Sequence, residues 1–272
     1  MNTDIRLAVD IGGTFTDLAL EGPFGHRSHK LLTTPEAPEQ AVIEGAAKIL
    51  ADAGIAPSDV KLVIHGTTLA TNAIIERKGA KTALVTTKGF RDAVEIAYEH
   101  RFDQYDLYME RPPALAPRHL RFEATERMAA DGSVLLTLDE ASVRALIPAI
   151  EAEGVAALAV VFLHSYVNPE HELRAGAILA EGLPGVAITL SHQVCPEIRE
   201  YERTSTALAN AYVQPLMAGY LERLASGLKT AGLDCPLLLM TSAGGVVNVE
   251  AAMAEPVRLV ECGPAGGAIL AA

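Results

Sequence analysis

A glycine turn near the amino terminus constrains the fold of this chain more than any other feature. The string VDIGGTFTD, residues 9–17, joins the short apolar runs LAVDI and FTDLAL, and these runs predict two strands. Gly12 and Gly13 allow the backbone to turn tightly and bring its amide groups near an anion, while Thr14 and Thr16 add hydroxyl donors. The string therefore predicts a phosphate-binding hairpin that has no lysine.

Two aspartates flank this turn. Asp10 and Asp17 would repel a polyphosphate unless a divalent cation bridges them to it, and magnesium is the natural choice. We therefore predict that both carboxylates bind the metal ion. The alternative interpretation is an ordinary glycine hairpin whose threonines and aspartates are exposed to solvent.

The elements that follow predict an α/β fold built on a mixed sheet. HKLL predicts a third strand, and EQAVIEGAAKILADAG has apolar residues at helical spacing and stops at Gly54. LVIHG and TALVTT predict buried strands on either side of the helix TLATNAIIER. Three strands followed by alternating helices and strands indicate a sheet that is antiparallel at first and then parallel. This order matches the ribonuclease H-like lobe of actin, sugar kinases and Hsp70.

A second candidate site lies between a predicted strand and a predicted helix. His65, Gly66, Thr67 and Thr68 occupy this junction, where free amide groups and hydroxyls favour an anion or a polar substrate. The alternative is a helix N-cap that uses Thr67 or Thr68, with His65 hydrogen-bonded inside the wall of the fold.

The later part of the chain predicts a second α/β subdomain. Residues 100–120 are rich in proline and aromatic residues, which predicts a long ordered loop with a functional or interface role, or a surface excursion between subdomains. The next predicted elements are a helix Asp139–Glu153, the strands AALAVVFL and VAITL, and a helix that begins at Asn168 and Pro169. Residues 197–230 predict a long helix that is kinked or split at Pro215.

We expect three regions from this order of elements. The ribonuclease H-like region occupies residues 1–130 and the second subdomain residues 131–245. Residues 246–272 begin a further region and end in ECGPAGGAILAA.

Charge and cysteine content exclude several classes of function. The 272 residues carry a formal net charge of −12, which disfavours nucleic acid and anionic membrane as partners. The amino terminus has no signal-like apolar run, and no apolar stretch approaches the length of a membrane span. Cys195, Cys235 and Cys262 have no metal-ligand spacing and are expected to be reduced thiols of a cytoplasmic protein. For His164 and His171 we favour surface or capping roles over metal binding.

Five strings in order resemble the N-terminal region of the hydantoinase/oxoprolinase family. They are VDIGGTFTD, IHGTTLATNAIIERKGAKTALVTTKGF, YERTSTALANAYVQPLMAGYLERL, MTSAGGVV and GPAGG. The resemblance covers nearly the whole chain and implies ATP-dependent opening of cyclic amides such as hydantoins or 5-oxoproline, through phosphorylation of the amide oxygen. It also implies a hydantoinase B-type partner subunit or domain.

The resemblance assigns roles residue by residue. Asp10, Gly12, Gly13, Thr14, Thr16 and Asp17 would hold the phosphates of ATP and Mg²⁺, while His65, Gly66, Thr67 and Thr68 would line the adjoining cleft. It does not assign a general base or any other catalytic residue. Family members usually carry serine where this chain has Cys262, a departure that spares the glycine turn beside it.

The sequence leaves the final function open among three alternatives. Besides a cyclic-amide hydrolase, the chain is compatible with the ATP-binding subunit of a ketone carboxylase of the same family, or with a non-catalytic docking module. Proteins of this superfamily close ATP between two lobes, each with a glycine and aspartate hairpin, and the second hairpin is expected after GPAGG. We therefore predict an incomplete nucleotide site in residues 1–272.

Overall fold

The computed structural model describes residues 4–100 and 103–263, which form two compact units. The first unit takes in the residues up to Gly79 and those from Leu216 onward, and the second runs from Ala80 to Pro215. These limits differ from the expected boundaries after residues 130 and 245. The physical reason is strand pairing, because the strand that follows Gly79 hydrogen-bonds within a separate sheet.

The helices and strands of the first 79 residues all belong to the first unit. In chain order they are β1 (Ile5–Ile11), β2 (Phe15–Gly22), β3 (Gly25–Leu32), α1 (Pro38–Ala53), β4 (Val60–Thr67) and α2 (Leu69–Ile75).

The second unit contains most of the remaining elements. They are β5 (Thr82–Thr87), α3 (Ala93–Ile96), β6 (Arg121–Ala124), β7 (Arg127–Met128), β8 (Val134–Leu136), α4 (Glu140–Arg144), α5 (Ile147–Ala152), β9 (Ala157–Val161), α6 (Glu170–Gly182), β10 (Ala187–Leu190), α7 (Ser191–Val194) and the first half of α8 (Glu200–Thr230). The chain then adds β11 (Leu237–Met240), β12 (Val246–Asn248) and α9 (Val249–Ala254) to the first unit.

The first unit is built on the predicted mixed sheet. Its strand order is β12-β11-β4-β1-β2-β3, with β1, β4 and β11 parallel to one another. The hairpin strands β2 and β3 are antiparallel to their neighbours, as is the edge strand β12. The α/β class and the ribonuclease H-like order of the first strands are therefore confirmed.

Alternating side chains explain how this sheet covers its core. Leu7, Val9 and Ile11 of β1 are buried, and Leu18 and Leu20 of β2 lie on the same face, whereas the intervening residues point to the other face. Helix α1 places its own apolar residues against this buried face and ends at Gly54, which adopts the left-handed conformation with φ 69°.

The second unit contains a parallel sheet of order β10-β9-β5-β6. All six residues of β5 and all five of β9 are buried, as expected for a parallel sheet covered on both faces. From β5 the chain first adds β6 on one side and later adds β9 and β10 on the other. The order of strands therefore reverses between β5 and β9.

A buried carboxylate ties the carboxyl ends of β9 and β10 to the neighbouring helices. Glu172 accepts hydrogen bonds from the amides of Phe162 at 3.1 Å and His192 at 2.9 Å, and from the Ser191 hydroxyl at 2.7 Å. Arg203, also buried, donates to the Phe162 carbonyl at 2.7 Å. These charged groups are hydrogen-bonded on all sides, which is what makes their burial tolerable.

One predicted helix differs from expectation, and for a second the structure excludes one of two alternatives. The predicted helix Asp139–Glu153 forms two pieces, α4 and α5, because Pro148 at the start of α5 cannot continue the first helix. Helix α8 runs unbroken through Pro215, which excludes the split alternative. Val213 and Met217 on either side of the proline are both fully buried, so tertiary packing holds the helix together there.

The proline-rich segment is irregular, as predicted. Residues 103–117 contain no helix or strand, and a single 3₁₀ turn, Arg118–Leu120, precedes β6. Phe102 lies outside the described residues. In residues 4–100 and 103–263 no helix is both long and apolar enough to cross a membrane.

Candidate functional site

The first candidate site lies at one edge of the sheet in the first unit. The parallel strands β1, β4 and β11 all end at this edge, and the glycine turn 12–14, the junction at Thr68 and the loop 241–245 follow them directly. In open α/β sheets, ligands bind outside the carboxyl ends of the strands. The fold therefore brings both sequence-predicted motifs to the edge where a ligand is expected.

Four residues form a row across this end of the sheet. Asp10 is the register partner of Gly66 on β4 and of Asp17 on β2, and Asp17 is in turn the partner of Lys30 on β3. Directly opposite residues of neighbouring strands have Cβ atoms about 5 Å apart. The two carboxylates are thus neighbours, and we call Gly66, Asp10, Asp17 and Lys30 the cross-strand row.

Gly66 leaves room for the Asp10 carboxylate. A Cβ atom at position 66 would lie 2.9 Å from Asp10 Oδ1, closer than a carbon and an oxygen normally approach. A larger residue at position 66 would therefore force the Asp10 carboxylate to move from the place it occupies. The role of Gly66 is steric and supports Asp10 from the adjacent strand.

The electrostatics of the row distinguish its two acids. Partial desolvation and the neighbouring Asp17 carboxylate raise the pKa of Asp10, while Lys30 partly offsets them. Asp17 is bound by the Lys30 ammonium, whose Nζ lies 2.8 Å from each carboxylate oxygen. A bound cation would relieve the repulsion between the two carboxylates.

The glycine turn offers free backbone donors. Gly12 closes the turn by donating its amide to the Phe15 carbonyl at 2.9 Å, but the amides of Gly13 and Thr14 have no acceptor within the described residues. Thr33 holds the turn in place, because its amide donates to the Thr14 carbonyl and its hydroxyl to the Gly12 carbonyl, both at 2.9 Å. Two exposed amides beside two carboxylates can hold a phosphate together with a cation.

Two of the predicted site residues point away from this edge into the core. Thr16 is fully buried on the opposite face of β2, and its hydroxyl lies 3.0 Å from that of Thr33. His65 is 1% exposed and its Nε2 lies 2.7 Å from the hydroxyl of Tyr220 on α8. Burial lowers the pKa of His65 to about 4, so the ring is neutral at physiological pH. Both side chains therefore support the sheet and do not line the cleft.

The junction after β4 is mainly capped by its own side chains. Thr67 accepts the amide of Leu69 at 3.1 Å and is buried, while the partly buried Thr68 hydroxyl accepts from Asn72 Nδ2 at 3.3 Å. Cys262 donates its thiol to the Thr67 carbonyl at 3.3 Å, a bond that a serine hydroxyl could also make. Burial raises the pKa of this thiol, so Cys262 is a structural donor here.

The chemistry of the donor set fits magnesium better than a transition metal. In the part of the chain that the structure describes, no three His, Cys, Asp or Glu side chains come close enough to hold a metal ion. Magnesium is usually held by one or two carboxylates together with phosphate oxygens and water, which Asp10 and Asp17 can satisfy. His171, considered as a ligand from the sequence, instead hydrogen-bonds to Glu126 at 2.9 Å.

Sequence reasoning missed Lys30 and Thr33, which the structure brings to the site. No local signal identifies either residue, since their positions depend on the register of the β2–β3 hairpin. For Thr16 a signal existed. It alternates with the buried Leu18 and Leu20, and this period of two places its side chain in the core.

Comparison with known proteins identifies two family matches that together span most of the chain. The Hydantoinase/oxoprolinase N-terminal region matches residues 6–183, and the Hydantoinase/oxoprolinase region matches residues 203–272. Among curated proteins, 267 residues are 38% identical to the caprolactamase subunit alpha of Pseudomonas jessenii, and 307 aligned residues are 31% identical to the 5-oxoprolinase of Saccharomyces cerevisiae. These alignments cover 96% and 98% of this chain.

Two solved structures share the fold over nearly the whole chain. The crystal structure of the ATP-dependent caprolactamase from Pseudomonas jessenii matches with a TM-score of 0.88 and 37% identity over 96% of this chain. The nucleotide-free structure of an acetone carboxylase, an enzyme of ATP-dependent acetone carboxylation, matches with a TM-score of 0.89 and 25% identity over 99%. The chain spans 39% and 40% of these two structures, and 38% and 23% of the two curated relatives.

Proposed function

Because this chain belongs to the hydantoinase/oxoprolinase family, we propose that it carries the phosphate-binding hairpin of an ATP-dependent enzyme that opens cyclic amides such as hydantoins or 5-oxoproline. The cross-strand row carries this proposal. It sets two carboxylates beside two free amides at the carboxyl edge of a parallel sheet, an arrangement that fits a magnesium-bound polyphosphate. The identity of 38% with a caprolactamase subunit supports an amide as the substrate.

Each residue of the site has a definite role in this proposal. Asp10 and Asp17 hold Mg²⁺, the amides of Gly13 and Thr14 donate to phosphate oxygens, and Gly66 keeps the space that Asp10 needs. Lys30 balances the charge of Asp17. Thr16, His65 and Thr67 act through the packing of the sheet.

The chemistry supplied by ATP is activation of a poor electrophile. Bound ATP would supply phosphoryl transfer to the amide oxygen, which would make the ring carbonyl susceptible to water. The net reaction would convert one cyclic amide, one ATP and two water molecules into the ring-opened acid, ADP and phosphate. The hairpin contributes by positioning the phosphates and neutralising their charge.

A second subunit and a cytoplasmic location complete the proposal. The relative from Pseudomonas jessenii is named as a subunit alpha, which supports a partner subunit of the hydantoinase B type for this chain too. All three cysteines are free, and this fits the reducing cytoplasm.

A ketone carboxylase is the second candidate, favoured by the TM-score of 0.89 with acetone carboxylase. Both reactions begin with activation of an oxygen atom by ATP, so the same hairpin serves either. Product analysis of the purified natural enzyme with its partner separates them: a ring-opened acid supports the hydrolase and a carboxylated ketone supports the carboxylase. If neither substrate supports ATP turnover, the docking-module alternative remains.

The role of the row is tested by calorimetry of Mg-ATP binding to the purified natural enzyme with its partner. Replacing Asp10 by Asn keeps the shape of the side chain but removes the charge that holds the cation, so we expect affinity to fall at least about tenfold, or about 1.4 kcal/mol. The matched control is Asp52→Asn, which changes an exposed carboxylate paired with Lys48 on α1 and should leave affinity unchanged. Equal affinity of Asp10→Asn and the parent protein would refute the assignment.

A further inference from the structure

The second unit contains a cavity that the proposed nucleotide site does not use. Its volume is about 160 Å³. For comparison, an engineered cavity of about 150 Å³ in another protein holds benzene. The residues that line it include Phe90, Asp92, Ala93, Ile96, Glu200 and Tyr201. The cavity therefore has room for one small ring.

The position of this cavity in the fold is one where ligands bind. Gly89 and Phe90 lie in the loop that follows β5, and the sheet of the second unit reverses its strand order between β5 and β9. In open α/β sheets the crevice outside the carboxyl ends of the strands, at the point of reversal, is the usual ligand site. The cavity therefore lies beside the carboxyl end of β5, one of the two strands at this reversal.

The backbone around the cavity is held in unfavourable conformations. Ala97, which lines the cavity, has φ 48° and ψ −123°, and Arg199, directly before Glu200, has φ 79°. Neither is a glycine, and such conformations persist only when the surrounding structure enforces them. Arg111 contributes this constraint, because its guanidinium donates to the carbonyls of Glu95 at 2.8 Å and His100 at 3.1 Å.

The lining combines apolar walls with polar groups, among them the carboxylate of Glu200 and the hydroxyl of Tyr201. Phe90, Ile96 and the Tyr201 ring provide apolar walls. Of the two carboxylates, Asp92 is bound by Arg118 through two hydrogen bonds of 2.9 Å, whereas Glu200 has no hydrogen bond or ion pair to its carboxylate within the described residues. A pocket with apolar walls and a free carboxylate suits a neutral ring that carries an N–H donor.

We propose that this cavity binds the ring of a small cyclic amide, with the amide N–H donating to the carboxylate of Glu200. The cavity is about as large as such a ring, its apolar walls suit the methylene groups, and the carboxylate of Glu200 can accept the one N–H of a lactam. The identification of the ligand as the substrate rests on the proposed function. Binding itself does not require ATP.

The proposal is tested by titrating the protein with ε-caprolactam and with hydantoin, followed by protein-observed NMR without nucleotide. We expect saturable chemical-shift changes in the parent protein. In Ala93→Leu the new side chain fills the cavity, so the affinity should fall at least about tenfold. Ala180→Leu, on the exposed face of α6, is the control and should leave the affinity unchanged. Glu200 lies on the surface, and Glu200→Gln should also weaken binding about tenfold because it removes the charge of the acceptor. N-methylcaprolactam, which lacks the donor, should bind the parent protein correspondingly less well.

Several outcomes would overturn the proposal. They are the absence of saturable shifts in the parent protein, equal affinity of Ala93→Leu and Ala180→Leu, and equal affinity for ε-caprolactam and its N-methyl derivative. The spectrum of each variant reports whether it is folded. If Ala93→Leu does not fold, Glu200→Gln supplies a second test. Since Mg-ATP binding depends on Asp10 and is measured separately, failure of this proposal is distinguishable from failure of the proposed function.

Discussion

At the scale of single residues, the proposed function conflicts with stability at Asp10. Its carboxylate lies opposite that of Asp17 and has a raised pKa. The folded protein therefore holds this proton more tightly than the unfolded chain. The contribution of this proton to the free energy of unfolding is present at low pH, and it is lost as the pH rises through the folded-state pKa of Asp10. In the absence of a bound metal ion, Lys30 offsets the repulsion between the two carboxylates only in part at neutral pH.

This conflict predicts that Asp10→Asn is more stable than the parent protein without ligand at pH 7. Relief of a like-charged cross-strand pair should raise the free energy of unfolding by about 0.2–1 kcal/mol. Urea denaturation measures the difference, which should shrink at acidic pH, where Asp10 itself becomes neutral. A variant less stable than the parent at pH 7 would contradict the electrostatic interpretation of the row.

His65 and Tyr220 show how a residue predicted for the site became part of the core. The ring of His65 is neutral and its Nε2 accepts the hydroxyl of Tyr220, while its Nδ1 lies 3.4 Å from the Val9 carbonyl. Both side chains are buried, and burial also raises the pKa of Tyr220. The pair therefore ties α8 to β4 within the first unit.

Removing the hydroxyl in Tyr220→Phe should lower the free energy of unfolding by about 1–3 kcal/mol, because a buried ring nitrogen loses its partner. Thermal and urea denaturation both measure this loss. Tyr105→Phe is the matched control, since Tyr105 is 91% exposed and its hydroxyl can bond to water in both forms. A loss no larger than that of the control would show that the hydrogen bond contributes nothing to stability.

At the scale of elements, α8 carries an unfavourable residue in its interior. Pro215 has no amide to donate and its ring crowds the preceding turn, a combination that usually costs about 3 kcal/mol. The helix is nevertheless continuous from Glu200 to Thr230. Packing of the buried residues on either side of the proline offsets this penalty.

Pro215→Ala should therefore raise the free energy of unfolding by about 1–3 kcal/mol. Urea denaturation is the measurement. Pro112→Ala serves as the control, because Pro112 lies in the exposed irregular segment and its replacement should change stability by less than about 0.5 kcal/mol. If Pro215→Ala destabilised the protein, contacts of the proline ring would have to be worth more than the restored hydrogen bond.

At the scale of the whole molecule, a net charge of −12 opposes the binding of any polyphosphate. Capture must then depend on local groups, and two of the nearest charges are themselves carboxylates. The protein can bind ATP only if a cation reverses the sign of the field at the glycine turn.

Chelation of Mg²⁺ by EDTA should accordingly weaken ATP binding at least about tenfold, or about 1.4 kcal/mol. At a lysine-rich anion site, added salt weakens binding. Here, added salt at constant Mg²⁺ should weaken ATP binding less, because screening also reduces the repulsion between ATP and the negatively charged protein. Fluorescence titration with a labelled nucleotide measures both effects. Strong ATP binding in EDTA would contradict the proposed role of Asp10 and Asp17.

The sequence alone determined the features that depend on neighbouring residues. The glycines at 12 and 13 specify the turn, and helical spacing that ends at Gly54 specifies α1. The succession of three strands and then alternating helices and strands was sufficient to identify the mixed sheet. These signals are local because side-chain period and turn chemistry act over a few residues.

Only the tertiary structure decided which side chains meet at the site. Asp17 meets Lys30 through the register of a hairpin, and His65 meets Tyr220 across a sequence separation of 155 residues. The sequence grouped Thr16 and His65 with Asp10, whereas the pleat of the strands turns them to the opposite face. The register of strand pairing, the face to which each side chain points and the long-range packing depend on burial across the whole sheet. No short segment of the chain contains that information.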